Sequence, residues 1–403
     1  MSFELIREIT KEIADNYVLV EYELESTENV YKAAHDLAIG QSVGNPNVRN
    51  HWENDKLFEN NCAIICVNSL TAKYSLSQNK VSNVVIGFPI INTDWEEDGI
   101  AHLLCQIMGG QTDIDHITKC RVIDIHFPNS VMQYFKKPKY GLSGMREFTN
   151  TFDKPFLGGI VKPKIGLSPE ELLKMVAEMC EGGVNFIKED EIMSNPSFCS
   201  LKDRIPLISK FLRSDFPNVV YCFCINSDPA YVQDRVKLVH DNGGNGVHIN
   251  IWSGLGVYNT IRKMDFPMFL HYQKSGDKVI THKNNAFGIS WYVMCKLAAI
   301  SGVDTIHAGM FGGYLSDSEE ELTKLNKMLN DHNVVPALSC GMHPGLVNYV
   351  TSKFGNDYMA NVGGAIHGHP EGTLSGARAM RQAIDKTYGS EYKTAIEKWG
   401  IVN

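Results

Sequence analysis

A lysine followed by three carboxylates is the run of residues best suited to chemistry. Lys188, Glu189, Asp190 and Glu191 come directly after the apolar stretch 184–187. Lys188 and Asp190 share one side of a strand, because successive side chains of a strand alternate. Carboxylate oxygens suit Mg²⁺, and a buried lysine that has lost its charge can react with CO₂ to give an anionic carbamate. The run therefore predicts a magnesium site at Lys188, Asp190 and Glu191, with a simple ion-pair cluster as the alternative.

Two further lysines follow the apolar run 156–161. Lys162 and Lys164 share a face by the same two-residue period. Neighbouring cations depress the pKa of an amine, which favours Lys162 as an acid/base group with Lys164 orienting it. Anion binding by both lysines is the alternative interpretation.

Single histidines end two other apolar runs, at His271 and His307. A lone histidine in such a place is more often structural than catalytic, but a location shared with the lysines favours proton transfer. Both histidines are therefore candidate catalytic residues.

A serine and three glycines end or follow the last two apolar runs. They are Ser339, Gly341, Gly363 and Gly364. Glycines expose backbone N–H groups, which bind phosphate well. These four residues are the predicted phosphate-binding group.

The elements that must position these residues recur with a regular period after residue 155. Eight short apolar runs end in polar residues, and amphipathic segments separate them. The runs are 156–161, 184–187, 219–225, 247–251, 268–271, 305–307, 335–339 and 359–362. Such a pattern predicts a (β/α)₈ TIM barrel, in which the carboxyl ends of the strands form the active site.

The first 145 residues lack this period. A strand-like segment at 15–24, a helix-like segment at 29–40 and the apolar runs 63–67 and 84–89 indicate a compact α+β (ferredoxin-like) domain. The predicted domains are 1–145, an N-terminal α+β domain, and 146–403, a barrel that carries the active site.

Composition excludes several classes of protein. The chain has 403 residues, 43% of them hydrophobic, and a formal charge of −8, which argues against a disordered chain and against nucleic acid as the main partner. Its ten cysteines lie mostly in apolar runs without zinc-type spacing, so we expect buried free thiols. No apolar run approaches the roughly 18 residues of a membrane span, and the charged N-terminus is unlike a signal peptide. We expect a cytoplasmic protein without a membrane partner.

Four motifs resemble those of the ribulose-bisphosphate carboxylase/oxygenase (RuBisCO) large-chain superfamily, most strongly from residue 156 to 387. They are the segments 159–167, 182–191, 304–309 and 363–370. The resemblance implies Mg²⁺ held by Asp190, Glu191 and a CO₂-derived carbamate on Lys188. It also implies a phosphorylated small-molecule substrate and a homodimer with the active site at the subunit interface.

Departures from the family pattern point to a RuBisCO-like protein of the form IV type and not to a true carboxylase. Tyr314 stands where carboxylases have a loop lysine, and Tyr272 follows His271 where they have a phosphate-binding arginine. Segments 38–46 and 108–111 lack most of the residues that the N-terminal domain contributes to the partner's site. The missing arginine suggests one strong phosphate site in place of two.

The leading hypothesis is a Mg²⁺-dependent enzyme that enolises a phosphorylated keto-sugar or related ketone, with tautomerisation, isomerisation or decarboxylation as the outcome. One alternative is the 2,3-diketo-5-methylthiopentyl-1-phosphate enolase of methionine salvage, although the position of its N-terminal catalytic lysine corresponds here to about Gly110. A ribulose-bisphosphate carboxylase is a second alternative, and a non-catalytic regulatory or binding protein is a third.

Overall fold

A computed structural model describes residues 4–67, 81–313 and 317–402. The strands of these residues, in chain order, are β1 (Ile6–Arg7), β2 (Tyr17–Ser26), β3 (Ile64–Cys66), β4 (Val81–Pro89), β5 (Ile117–His126), β6 (Phe156–Ile160), β7 (Phe186–Lys188), β8 (Val220–Cys224), β9 (Gly246–Asn250), β10 (Phe269–Gln273), β11 (Phe287–Ile289), β12 (Thr305–Gly309), β13 (Val335–Leu338) and β14 (Met359–Val362).

The α-helices of the same residues are α1 (Lys11–Asn16), α2 (Val30–Gly40), α3 (Asp55–Asn61), α4 (Gly99–Ile107), α5 (Asn129–Met132), α6 (Gly141–Thr149), α7 (Pro169–Glu181), α8 (Leu201–Asp215), α9 (Pro229–Asp241), α10 (Gly256–Lys263), α11 (Lys278–Thr281), α12 (Trp291–Ile300), α13 (Glu319–Asp331), α14 (Val347–Phe354), α15 (Gly364–His367), α16 (Thr373–Asp385) and α17 (Ser390–Trp399). Capping explains where several begin. The Ser168 side chain accepts from the Glu171 N–H and Glu171 reciprocates, which starts α7 at Pro169.

The chain divides into two compact units, and the first comprises residues 1–135 and 276–297. It contains a six-stranded mixed sheet with the order β1-β3-β4-β2-β5-β11. Strand β2 pairs antiparallel with β4 and β5, and β11 pairs parallel with β5. The predicted N-terminal domain of strands and helices is confirmed.

The second unit, residues 136–275 and 298–403, is a closed parallel barrel. Its strand order is β6-β7-β8-β9-β10-β12-β13-β14, and β14 pairs with β6 to complete the ring. Each predicted barrel run overlaps one of these strands. The TIM-barrel prediction is confirmed.

Helix α6 belongs to the barrel unit. Met145 on this helix joins a fully buried cluster at the base of the barrel that includes Phe156, Phe186 and Phe269. The Tyr140 ring, just before the helix, stacks on Phe269 with centroids 4.2 Å apart. The apolar contacts of α6 therefore put the division at residue 135, earlier than the predicted boundary at 145.

A second difference from the predicted domains concerns residues 276–297. The sequence placed them in the barrel, but β11 extends the sheet of the first unit through its pairing with β5. Arg121 fixes the segment by donating hydrogen bonds to the carbonyl oxygens of His282, Asn285 and Thr281. A strand that joins a sheet formed so far away in the chain carries no local sequence signal of that pairing.

The cysteines and the lengths of the helices bear on two further expectations from the sequence. The ten cysteines, all within the described residues, form no disulfide with one another, and eight of them are buried. No helix within the described residues is both long enough and apolar enough to cross a membrane. Tyr314, which stands at the position of the carboxylase loop lysine, lies outside the described residues.

Candidate active site

A cavity of about 450 Å³ opens at the carboxyl ends of the barrel strands. Ten of the eleven predicted site residues line it: Lys162, Lys164, Lys188, Asp190, Glu191, His307, Ser339, Gly341, Gly363 and Gly364. These residues lie far apart in sequence, and the closure of the parallel barrel brings them together.

Lys188 ends strand β7 with its side chain only 1% exposed. Its Nζ lies 3.6 Å from Oε2 of Glu191 and donates to the Glu189 carbonyl oxygen at 3.2 Å. Burial lowers the pKa of the Lys188 amine, although the Glu191 and Asp190 carboxylates act in the opposite direction. The amine is thus a buried group whose neutral form is favoured by its surroundings.

The middle carboxylate of the run, Glu189, turns away from the cavity. It is fully buried and receives two hydrogen bonds from Arg204, at 2.7 and 2.9 Å. The Tyr221 hydroxyl and the Cys224 N–H donate to the same carboxylate at 3.1 and 2.7 Å. This bidentate, fully buried arrangement anchors the chain between Lys188 and Asp190.

Asp190 and Lys162 form an ion pair at the edge of the cavity. Lys162 Nζ lies 2.5 Å from Oδ2 of Asp190, whose side chain is 1% exposed. The aliphatic stem of Lys162 passes over Gly363, where a Cβ would come within 3.3 Å of the lysine Cε. Lys164, by contrast, is exposed at the cavity mouth. The structure therefore separates the two lysines that the sequence paired.

His271 is the one predicted site residue that does not line the cavity. Strand β10 continues to Gln273, so His271 lies one layer deeper in the barrel, with its ring 5.5 Å from that of Phe186. Its Nδ1 is 2.7 Å from the Thr305 hydroxyl. Burial lowers the pKa of His271 to about 3, which keeps the ring neutral.

The strand end that His271 was predicted to occupy belongs to Gln273. Gln273 and Lys274 line the cavity, whereas Tyr272 is fully buried with its ring 5.0 Å from that of Tyr258. A cation, Lys274, follows this strand and lines the cavity, and the single phosphate site stays a prediction. The two-residue period of strands could have revealed Gln273, since it lies on the same face as His271.

His307 lines the opposite side of the barrel from Lys188. Its Nε2 is 2.5 Å from the Ser339 hydroxyl and 3.7 Å from the Cys340 sulfur. Burial, with Lys188 as a further cause, holds the pKa of His307 well below its ordinary value. The neutral ring can accept or donate a single proton through the nitrogen that faces these two side chains.

Glycines give the wall near β13 and β14 its accessible backbone. A Cβ at Gly364 would meet nothing within 4 Å, and Gly341 has φ of 113°, a value that favours glycine. Lys162 lies beside Gly363, as described above. Backbone N–H groups next to a cation suit a phosphate group.

The donor set around Lys188 fits a hard divalent cation only if the lysine itself becomes a ligand. Within the described residues, no three His, Cys, Asp or Glu side chains form a cluster that could hold a metal ion. Asp190 and Glu191 supply two carboxylates, and a carbamate on the buried Lys188 amine would supply a third anionic oxygen donor. The residues present therefore fit Mg²⁺ in this form.

A closed barrel with this strand-end site belongs to a class of (β/α)₈ proteins whose catalytic groups stand at the carboxyl ends of the strands. Residues 141–398 match the family described as "Ribulose bisphosphate carboxylase large chain, catalytic domain". The chain belongs to this RuBisCO large-chain family, whose members include enzymes.

The proteins similar to this chain include both carboxylases and an enolase. The ribulose bisphosphate carboxylase of Pyrococcus furiosus is 30% identical over 341 residues, which cover 79% of this chain and 80% of the relative. The 2,3-diketo-5-methylthiopentyl-1-phosphate enolase of Microcystis aeruginosa is 26% identical and covers 95% of this chain and 100% of the enzyme. The dimeric archaeal Rubisco of Hyperthermus butylicus superposes with a TM-score of 0.84 at 26% identity, covering 99% of each chain.

Proposed function

We propose that the protein is a RuBisCO-like, Mg²⁺-dependent enzyme that enolises a phosphorylated keto-sugar or related ketone. The observation that carries this proposal is the buried Lys188 amine beside Asp190 and Glu191 in a cavity that cations and glycine N–H groups also line. An enolising enzyme needs a group that withdraws charge from the carbonyl and a base that removes the adjacent proton.

The metal site would consist of Asp190, Glu191 and carbamylated Lys188. A Mg²⁺ ion held by these residues would polarise a carbonyl as a Lewis acid. The Arg204–Glu189 pair keeps the backbone of this run in place, so that the side chains on either side of Glu189 face the cavity.

Proton transfer would fall to Lys162 and His307. Lys162 Nζ lies 2.5 Å from Oδ2 of Asp190. The His307 ring is neutral, and its Nε2 lies 2.5 Å from the Ser339 hydroxyl oxygen. His271 has no access to the cavity, so we assign it to holding Thr305 and the barrel interior.

Phosphate binding would involve Ser339, Gly341, Gly363 and Gly364. Lys164 at the mouth and Lys274 at the end of β10 add positive charge to the cavity of a chain whose formal charge is −8. A local cationic cavity in an acidic protein favours a small anionic substrate over a large polyanion.

The methionine-salvage enolase is the second candidate. The alignment with the Microcystis enolase extends over nearly the whole of both chains, which favours a related enol-forming reaction. A homodimer is also part of the proposal, supported by the likeness to the dimeric archaeal Rubisco.

Deuterium exchange tests the proposal directly. The protein, incubated with Mg²⁺ and bicarbonate in D₂O, is given ribulose 1,5-bisphosphate, ribulose 5-phosphate and fructose 1-phosphate. We expect exchange at the carbon next to the carbonyl of at least one of these ketoses, and we expect it to disappear in Lys188→Ala. Lys174→Ala, on the barrel helix α7, is the control for loss of a lysine elsewhere. Exchange that survives Lys188→Ala would refute the assignment of the metal site.

A further inference from the structure

One thiol stands apart from the other cysteines of the chain. Eight of the ten are buried and Cys105 is exposed, whereas Cys340 is partly exposed and lines the active-site cavity. Its sulfur lies 3.7 Å from Nε2 of His307 and 3.8 Å from the Ser339 hydroxyl. A thiol next to a neutral imidazole is the arrangement that activates a cysteine for proton transfer or nucleophilic attack.

The backbone at this thiol has an unfavourable conformation for any residue with a side chain. Cys340 has φ of 70°, in the left-handed region that glycine adopts most easily. The following residue, Gly341, also has a positive φ. The position would therefore suit glycine better on conformational grounds alone, and the sulfur is present in spite of that preference.

Two residues on the same wall of the cavity, Asn361 and His307, have buried polar atoms without a hydrogen-bond partner within the described residues. Asn361 is fully buried and lines the cavity, yet neither of its amide atoms has a hydrogen-bond partner among the residues that the structure describes. The Nδ1 atom of His307 is unpartnered in the same sense. Buried polar atoms without partners are costly, so these atoms indicate that a polar ligand lies against this wall.

Groups that can move protons thus stand on two walls of one cavity. Lys162 and Asp190 follow β6 and β7, whereas His307 is on β12 and Cys340 is two residues after the end of β13. In the ring of strands, β12 is four places from β7, which is the opposite side of an eight-stranded barrel. A substrate between these walls would have one acid/base group on each side.

We propose that Cys340 is the catalytic acid that protonates the second carbon of the enolised substrate, so that the net reaction is an isomerisation. This inference rests on the proposed enolisation. Lys162, in its deprotonated form, takes the proton from the first carbon, and the C–H electron pair forms the C=C bond of the enediolate while the neighbouring carbonyl oxygen takes the negative charge. The Cys340 S–H bond then breaks as its proton goes to the neighbouring carbon. The hydroxyl proton of the first carbon passes to the oxygen of the neighbouring carbon, and the carbonyl forms on the first carbon. The thiolate regains the proton that Lys162 took, through water after product release, so atoms and electrons balance.

Alkylation kinetics test the contact between Cys340 and His307 without any substrate. The folded protein is treated with iodoacetamide at fixed pH, and the modification of each cysteine is followed by peptide mass spectrometry, with Cys105 as the internal exposed reference. We expect the Cys340 rate to fall at least about threefold in His307→Gln, because the imidazole no longer accepts the thiol proton, and the Cys105 rate to stay the same. A Cys340 rate unchanged in His307→Gln, or a Cys340 that is not alkylated in the folded protein, would overturn the proposal.

The variant Cys340→Gly separates chemistry from folding, because glycine relieves the left-handed backbone. With the ketose phosphates named above, we expect Cys340→Gly to lower isomer formation by about a hundredfold or more relative to exchange at the first carbon. Cys105→Ser should change neither rate. Isomer formed at the wild-type rate by Cys340→Gly, or exchange without any isomer in the wild type, removes the role of Cys340 and leaves enolisation intact. If no ketose exchanges in the wild type, the proposed function fails, and the alkylation rates still decide whether His307 accepts the Cys340 proton.

Discussion

The Lys162 ammonium and the Asp190 carboxylate are 2.5 Å apart, so a candidate base and a candidate metal ligand form one ion pair. The Asp190 side chain is 1% exposed and that of Lys162 is 31% exposed. Any cation that binds Asp190 must therefore compete with, or displace, the lysine.

This competition predicts an unusual effect of removing Lys162. Lys162→Met should abolish deuterium exchange but tighten Mg²⁺ binding by several-fold, because Asp190 no longer has a competing cation. Isothermal titration with Mg²⁺ in the presence of bicarbonate measures the change. Lys164→Met, which removes an exposed lysine of the same segment, is the matched control and should leave the Mg²⁺ affinity nearly unchanged. Weaker Mg²⁺ binding in Lys162→Met would contradict the competition.

Lys188 should link metal affinity to CO₂. At a Mg²⁺ concentration 100 times its Kd, binding stabilises the native protein by about 2.7 kcal/mol. We expect this gain in wild type only when bicarbonate accompanies Mg²⁺, and we expect Lys188→Met to show no gain under either condition. Thermal unfolding with Mg²⁺ alone, bicarbonate alone and both together measures it. Equal stabilisation of the wild type with and without bicarbonate speaks against the carbamate.

The buried Arg204–Glu189 pair should behave as a unit. Arg204→Met leaves the Glu189 carboxylate buried without its cation and should cost about 3–5 kcal/mol of unfolding free energy. The double variant Glu189→Gln/Arg204→Met should recover part of that loss, because no uncompensated charge remains. Urea denaturation of the single and double variants gives the values. A double variant less stable than Arg204→Met would show that the charge imbalance is not the cause.

Buried histidines should make the protein sensitive to acid. The folded-state pKa of His271 is about 3, below the ordinary value near 6.5, so the unfolded chain binds the proton first as the pH falls. The stability from the neutral ring is complete above about pH 6.5 and is lost as the pH falls from there toward 3. At pH 5 one such histidine contributes a loss of about 2 kcal/mol.

His271→Gln is the variant that tests this prediction. It should lower the stability at pH 7 and flatten the dependence of the unfolding free energy on pH between 6.5 and 4. The urea midpoint at a series of pH values measures both slopes, and parallel slopes for wild type and His271→Gln would disprove the assignment.

Periodicity in the sequence was enough to predict the barrel and most of the cavity lining. The apolar runs place Lys188, His307 and Ser339 at strand ends, because a strand's buried face has a fixed two-residue period. The same reasoning ended the β10 run too early, at His271, because the strand continues to Gln273. Burial of Tyr272 beside Tyr258 is a tertiary contact that no local pattern reveals.

Several features depend on contacts between residues far apart in sequence. Arg204 lies 15 residues from Glu189, and nothing in the helix that contains it marks it as the partner of a carboxylate. The pairing of β11 with β5 joins segments more than 160 residues apart. Cys340 carries no sequence signal either, because its left-handed φ becomes visible only in the structure.

The place of β11 has a consequence for how the protein is made. A ribosome releases residues 1–135 long before residues 287–289, so the sheet of the first unit must wait for its last strand while most of the barrel strands are synthesised. Until then β5 is an uncovered edge, the kind of surface on which chains aggregate. A fragment that ends at residue 135 would retain that edge permanently, and truncation is thus a poor route to isolating either half of the molecule.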